Sequence, residues 1–195
     1  TTFTQVLTVQ NANGYNEQEN KEERLYFDNK EYINKVSRTA KYYEQLFDKR
    51  TIKTENQLFN NFINYFTPLQ MLWVCNLDRG WPSSMRGTRD ASQDYVGITP
   101  LKPERTKALI LCLFEHQRTD GWMPRQVSTI SRTAPHDMRY FADGGAFLLE
   151  LIHEYLTFTR DHSLLLEKVV WLDSDEQSTV LEHIVQTMQY YLDPT

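Results

Sequence analysis

The sequence predicts a mainly α-helical protein built from stacked helical hairpins, and three observations carry that expectation. Apolar residues recur every three or four positions in separate stretches: Leu58, Phe62, Phe66, Leu69 and Trp73; then Leu149, Ile152, Tyr155 and Leu156; then Leu181, Ile184, Val185, Met188 and Leu192. Strand-like alternation is confined to a short stretch near the N-terminus. With 40% hydrophobic and 13% aromatic residues in 195, the chain can bury a sizeable core and is too apolar for general disorder.

The elements follow in order. Residues 3–9 place Phe3, Leu7 and Val9 on one face and Thr4 and Thr8 on the other, a short strand followed by the polar, turn-rich residues 11–20. Residues 20–50 are charged, yet Tyr32, Val36, Tyr42, Tyr43 and Leu46 recur at roughly helical spacing. This reads as a long, partly exposed helix broken near residues 28–30, of the kind that links or braces domains. The stripe from Leu58 to Trp73 contains Pro68, which should kink or divide its helix. Residues 76–103 differ in kind, being polar and interrupted by Gly80 and Pro82.

Pro103 suits the first turn of a helix over residues 104–117. The following loop, residues 118–145, runs for about 28 residues, and an ordered loop of that size is usually functional. Helices over residues 146–159 and 178–192 complete the pattern. No fixed-period repeat supports a solenoid, so an incomplete array of hairpins is expected.

Composition removes several function classes. Against 26 Asp+Glu the chain has 21 Lys+Arg, a formal net charge of -5, which argues against nucleic acid as a partner. Cys75 and Cys112 both lie in apolar runs, which excludes a disulfide scaffold and favours a reducing, cytoplasmic setting. The apolar runs at residues 108–114 and 146–149 fall far short of the roughly 20 residues that span a bilayer, so no membrane association is expected. The start, TTFTQVLTVQ, lacks a signal-peptide pattern and an initiator Met; the chain is expected to begin after processing or inside a longer protein.

The richest polar constellation joins Arg79, Arg86, Arg89, Asp90, Gln93 and Asp94 to Asp120, Trp122, Arg125, Gln126, His136, Asp137, Arg139 and Asp143. Carboxylates and amides can pair with sugar hydroxyls, arginine forks can hold anions, and Trp122 or Trp81 offers an apolar face. A salt-bridged network that merely orders long loops fits the same residues.

Asp143 is the sharpest candidate. It follows Tyr140-Phe141-Ala142, and apolar surroundings favour the protonated carboxyl that a general acid needs. It also precedes Gly144-Gly145 and a helix, where a capping aspartate is common, so both readings stand. The five histidines show no metal-ligand spacing, neither cysteine has a nearby His, and Gly80, Gly87 and Gly97 form no phosphate loop.

The stretch RGTRDASQDYVGITPLKPERTKALILCLFEHQRTDGW, from Arg86 to Trp122, resembles glycoside hydrolase family 94, the inverting disaccharide and oligosaccharide phosphorylases formerly placed in glycosyltransferase family 36. Residues 62–70 resemble the family's approach helix, Phe141-Ala142-Asp143 its acid-bearing segment, and Thr159-Arg160-Asp161 its Thr-Gly-Asp turn. The resemblance implies that residues 1–19 end an N-terminal β-sandwich, residues 20–53 form a helical linker, and residues 54–195 begin an (α/α)6 barrel.

It further implies Asp143 as general acid, and Arg89 and Asp94 as residues holding the sugar whose bond is broken. Gln93, Trp122, Arg125 and Gln126 are further substrate contacts by the same resemblance, and Arg79 is a phosphate contact. Asp143-Gly144 stands where many relatives have Asp-Asp, and Pro124-Arg125-Gln126 where they have a His-Gln stretch; both are closer to members acting on β-1,2-linked glucose oligomers.

The implied reaction is phosphorolysis of a β-linked glucose disaccharide or oligosaccharide to α-glucose 1-phosphate, with inorganic phosphate as co-substrate and no metal or other cofactor. The isolated segment is expected to be inactive, and the parent enzyme a homodimer. Two alternatives stand beside it: an inverting hydrolase using Asp120 or Asp137 to activate water, and a non-catalytic helical sugar-binding fragment.

Overall fold

A computed structural model describes residues 29–77 and 85–192. The strand over residues 3–9, its turn-rich sequel, Arg79 and Trp81 lie outside these described residues. The chain divides into two units, Thr1–Asn60 and Asn61–Thr195.

In the first unit, α1 (Asn29–Phe47) closes in a 3-10 turn, Asp48–Arg50, and the expected break near residues 28–30 falls at the edge of the described residues. Tyr32, Val36 and Tyr42 are exposed along it, while Phe47 is buried and lies 5.8 Å from the Tyr43 ring. A short helix, α2 (Gln57–Asn61), follows, with the Asn56 side chain accepting the Phe59 N–H as a cap. Buried Asn60 uses its whole amide on Thr54: Oδ1 accepts the Thr54 N–H and Oγ1–H at 2.9 and 2.8 Å, and Nδ2 donates to the Thr54 carbonyl at 2.9 Å.

The second unit opens on a π-turn, Phe62–Phe66, leading into α3 (Thr67–Leu77). Thr67 N–H bonds the carbonyl of Phe62, five residues back. Pro68 can donate no backbone bond and crowds the carbonyl four residues before it, and the widened turn makes room for it. The proline is thus absorbed by a bulge rather than by a break. The apolar stripe does form one face, but Phe62, Phe66, Leu69 and Trp73 are all exposed. Asn64, Leu72 and Cys75 are the residues that turn inward, and the Cys75 carbonyl accepts from Tyr95 Oη at 3.4 Å.

The polar residues 76–103 contain an unforeseen strand and helix, β1 (Met85–Gly87) and α4 (Thr88–Ile98). Its inward face is Thr88, Ala91, Ser92, Tyr95 and Ile98, small or hydroxylated residues at helical spacing. Ser92 and Thr99 stay buried by donating to the carbonyls four residues back, of Thr88 and Tyr95, at 2.8 and 2.7 Å. Helix α5 (Pro103–Phe114) starts at its proline as expected and ends three residues before Gln117.

Within the loop before α6 (Gly144–Thr159), β2 (Gln126–Ser128) pairs antiparallel with β1, matching Met85 to Ser128 and Gly87 to Gln126. The core gathers Ile98 of α4, Leu109, Ile110, Leu113 and Phe114 of α5, and Leu148, Leu151, Ile152 and Tyr155 of α6. Beyond α6, Arg160 adopts φ 60°, and Asp161 accepts from Tyr155 Oη at 2.8 Å, Lys107 Nζ at 3.2 Å and Ser163 Oγ. A hairpin of β3 (Lys168–Val170) and β4 (Gln177–Thr179) leads to α7 (Val180–Leu192). Thr179 and Glu182 form a reciprocal capping box at its start.

A buried amide ties these parts together. Gln117 Nε2 donates to Thr187 Oγ1 at 2.7 Å and Gly121 O at 3.1 Å, while its Oε1 lies 2.7 Å from His183 Nδ1. The His183 ring stacks on Trp171 at 3.7 Å. Gly121 itself has φ 89°, and a Cβ there would run into the Gln186 carbonyl and approach Tyr190 Cβ at 3.0 Å.

Gly121→Ala should therefore cost roughly 2–4 kcal/mol, from the left-handed backbone and the overlap together; a melting curve checks this. Burial pushes His183 and His116 below the ordinary histidine value. Asp137 and Asp161 are held well below the usual carboxylate range, chiefly by hydrogen bonds from Arg139 and Ser163 respectively. In all four cases the unfolded chain binds protons more readily than the folded one. The melting temperature should accordingly fall in two stages on acidification, below about pH 6.5 for the histidines and below about pH 4 for the carboxylates.

Candidate active site

Asp143 closes the long loop and stands immediately before α6, in the capping position that the sequence allowed. Its backbone (φ -117°, ψ -5°) departs from the extended geometry usual for a cap, and its carboxyl makes no capping hydrogen bond. The carboxyl faces α4 instead: Arg89 Nη1 donates to Oδ2 at 2.9 Å. Oδ1 is buried and has no hydrogen-bond partner among the described residues. The side chains of Arg89 and Asp143 are 43% and 39% exposed, so solvent weakens the pair as a source of stability.

Phe141 lies beside this pair. Its ring centroid is 5.5 Å from the Arg89 guanidinium carbon and 5.1 Å from that of Arg125, so one aromatic ring serves two cations. Arg125 in turn donates to Asp137 Oδ2 at 2.8 Å. Arg139 reaches both oxygens of Asp137, at 2.7 and 2.9 Å. Asp137 is a half-buried counter-ion for two arginines.

Backbone bonds fix this cluster against α4. Thr88 N–H donates to the Arg125 carbonyl at 3.1 Å, and Thr88 Oγ1 donates to the Pro124 carbonyl at 2.7 Å. Arg125 N–H bonds the Asp137 carbonyl, and Asp137 N–H bonds that of Gln126, both at 3.0 Å. The first turn of α4 therefore positions residues 124–126, which position Asp137.

Of the residues singled out in sequence, the structure assembles Asp143, Arg89 and Arg125 around Phe141, with Gln126 in the supporting strand. Gln93 and Asp94 border a separate cavity of about 420 Å³ against α3, with Phe62, Met71 and Val74; neither Arg89 nor Asp143 lines it. Trp122 belongs to the tight turn of residues 118–122, where its N–H donates to Asp120 Oδ1 at 3.0 Å and its carbonyl accepts the Arg118 N–H. Asp120 also lies 3.4 Å from Arg118 Nη2. Arg86 lines another cavity, of about 320 Å³, with Cys112, His116 and Arg132. His136 holds a structural position: its Nδ1 accepts the Ser128 N–H at 2.9 Å and its Nε2–H donates to the Arg132 carbonyl at 2.8 Å. Among the described residues no group of His, Cys, Asp or Glu could hold a metal ion. No helix of those residues is long and apolar enough to cross a membrane.

One neighbour escaped the sequence reading. Tyr191 Oη accepts the N–H of Gly145, in the first turn of α6, at 3.0 Å. Forty-six residues separate the two. The signal within the sequence was the Gly144-Gly145 pair: a Cβ on Gly145 would lie 2.8 Å from Thr187 Cγ2 and 2.9 Å from the Tyr191 ring.

The family described as glycosyl hydrolase 94 superfamily, catalytic domain, matches residues 42–194. A cellobionic acid phosphorylase of Neurospora crassa is 27% identical over 146 residues, an alignment covering 72% of this chain. The chain spans 18% of that relative's length. Arg89, Phe141 and Asp143 all lie inside the matched region, and the chain belongs to the glycosyl hydrolase 94 superfamily through its catalytic domain.

Proposed function

We propose that this chain supplies the acid side of the active site in an inverting glycoside phosphorylase acting on β-linked glucose disaccharides or oligosaccharides. The observation that carries the reading is the Asp143 carboxyl: one oxygen is gripped by Arg89, and the other is buried without a partner. A buried polar atom left unsatisfied in a native site calls for a role, and a proton to be handed to substrate is such a role. The relative's name, a phosphorylase of a disaccharide acid, points to the same reaction class.

In this mechanism Asp143 gives its proton to the glycosidic oxygen as the C1–O bond to the acceptor sugar breaks. Phosphate attacks C1 from the opposite face and forms the new C1–O bond, so a β-glucoside yields α-glucose 1-phosphate. Arg89 holds the donor carboxyl in place and, with Arg125, offers N–H donors to the hydroxyls of the reacting sugar. Phe141 offers that sugar an apolar surface. Gln93, Asp94, Trp122 and Gln126 remain candidate substrate contacts, and Arg79 a candidate phosphate contact, on the strength of the family resemblance. The same resemblance carries the wider picture of a sandwich end, a linker and the opening helices of an (α/α)6 barrel. It also carries the homodimer and the lack of any cofactor beyond phosphate, while the two free cysteines support a cytoplasmic setting.

A specific observation disfavours the hydrolase alternative. Asp137 has both oxygens engaged by arginines, and Asp120 is held by Trp122 and Arg118, so neither local carboxylate is poised to activate water. Phosphate, already an anion, needs no such base.

The test uses the product of the full reading frame, given β-1,2-glucose oligomers, cellobiose and cellobionic acid with and without phosphate. Glucose 1-phosphate is expected only when phosphate is present; equal release of free glucose without it would transfer the assignment to a hydrolase. Asp143→Asn should lower kcat on the accepted disaccharide by about 10²–10⁴-fold, the usual worth of a general acid. It should spare phosphorolysis of β-glucosyl fluoride, whose leaving group needs no proton. Arg89→Ala should both raise KM and lower kcat, and unchanged kinetics would reduce the pair to a structural contact.

A further inference from the structure

The N-terminus of α6 presents a problem that the molecule solves in an unusual way. The first amides of a helix have no partner inside it, and the residue at the capping position ordinarily supplies one through its side chain. Here that residue is Asp143, and a carboxylate turned back onto helix amides would be a good cap and an unavailable acid. The carboxyl makes no such bond. The Gly145 amide is taken by Tyr191 Oη from α7 at 3.0 Å.

We infer that Tyr191 is a positioning residue for Asp143: its phenol caps α6 in place of the aspartate and so leaves the carboxyl free to face Arg89 and substrate. The inference rests on the reading of Asp143 as the general acid. Three further features fit it. Burial pushes the Tyr191 phenol above its ordinary value, so at neutral pH it is an uncharged oxygen beside Asp143 rather than a competing anion. Gly145 has no room for a Cβ, because the Tyr191 ring and Thr187 close over it. Thr187 is itself fixed by the Gln117 amide at 2.7 Å, which sets α7, and with it Tyr191, against the start of α6.

Removing the hydroxyl alone, Tyr191→Phe, keeps the ring against Gly145 and leaves its amide without an acceptor. Asp143, at the capping position two residues before, is then able to replace it, and the acid is drawn onto the helix. The experiment compares Tyr191→Phe, Asp143→Asn and the double variant, in the full-length protein, on the accepted disaccharide and on β-glucosyl fluoride. Each variant's folding is checked by its melting curve.

The expected result for Tyr191→Phe is a kcat on disaccharide lowered roughly 10-fold or more, a part of the 10²–10⁴-fold that an acid supplies. KM should hardly move, and the rate on the fluoride should stay near that of the wild type. The double variant should be no slower than Asp143→Asn, because two residues acting through one group do not add.

Equal losses on both substrates, or a Tyr191→Phe variant that does not fold, would make the phenol a structural requirement and overturn the inference. Full disaccharide activity in Tyr191→Phe, with Asp143→Asn inactive, would overturn it while leaving the acid assignment standing. Full activity in Asp143→Asn would instead remove the assignment on which it rests.

Discussion

The loop between α5 and α6 has to satisfy its backbone without a helix of its own, and the antiparallel pairing of residues 126–128 with residues 85–87 is what makes this possible. That ladder, extended by the two bonds that Thr88 makes to residues 124 and 125, lays the loop across the first turn of α4. Everything chemical in the molecule depends on this contact. It brings Arg125 to the same aromatic ring as Arg89, and it holds the chain on course for Asp143 to meet Arg89. The other end of the loop is fixed by a different device, the Gln117 amide, which bridges the turn at Gly121 to His183 and Thr187.

These two anchors differ in physical character. The ladder and the Thr88 bonds are long-range pairings onto the backbone of the loop. The Gln117 network is buried, charge-poor and stacked between aromatic rings, where an unmade hydrogen bond is expensive. A loop held in both ways can carry exposed charged side chains such as Arg139 and still present a fixed carboxyl. The arginines and carboxylates thus fit both descriptions that their residue types allowed. Asp137 and Asp120 stabilise the loop, while Asp143 keeps an unpartnered oxygen.

How much of this was legible in sequence depended on what each residue used to signal burial. Helices α5, α6 and α7 announce themselves through Leu, Ile and Val at helical spacing, and Pro103 marks a boundary by chemistry that no tertiary contact overrides. Helix α4 was illegible because its buried face, Thr88, Ala91, Ser92, Tyr95 and Ile98, is largely polar or small, and the hydroxyls of Thr88 and Ser92 are satisfied by carbonyls that no hydropathy pattern reveals. The stripe of Phe62, Phe66, Leu69 and Trp73 shows the converse: periodicity located a face correctly but not which side of the helix meets the core. Asp143 was legible as a residue with two candidate roles. That its carboxyl pairs with Arg89, 54 positions away, while Tyr191 takes the Gly145 amide, depends on contacts no local pattern encodes.

The turn after α6 has a consequence for how this protein was built. Its sequence, Thr159-Arg160-Asp161, stands where the family pattern has glycine in the middle, and Arg160 adopts the left-handed backbone that glycine takes without strain. A side chain there costs about 1 kcal/mol or more relative to glycine. Lys107, Tyr155 and Ser163 all converge on Asp161 next door, and Lys107 also reaches Glu167 at 2.7 Å. The corner has exchanged conformational ease for electrostatic grip. Ionic strength therefore acts unevenly on this molecule: salt screens the partly exposed Lys107 pairs at this bend and has no charge to screen in the apolar interior a few residues away.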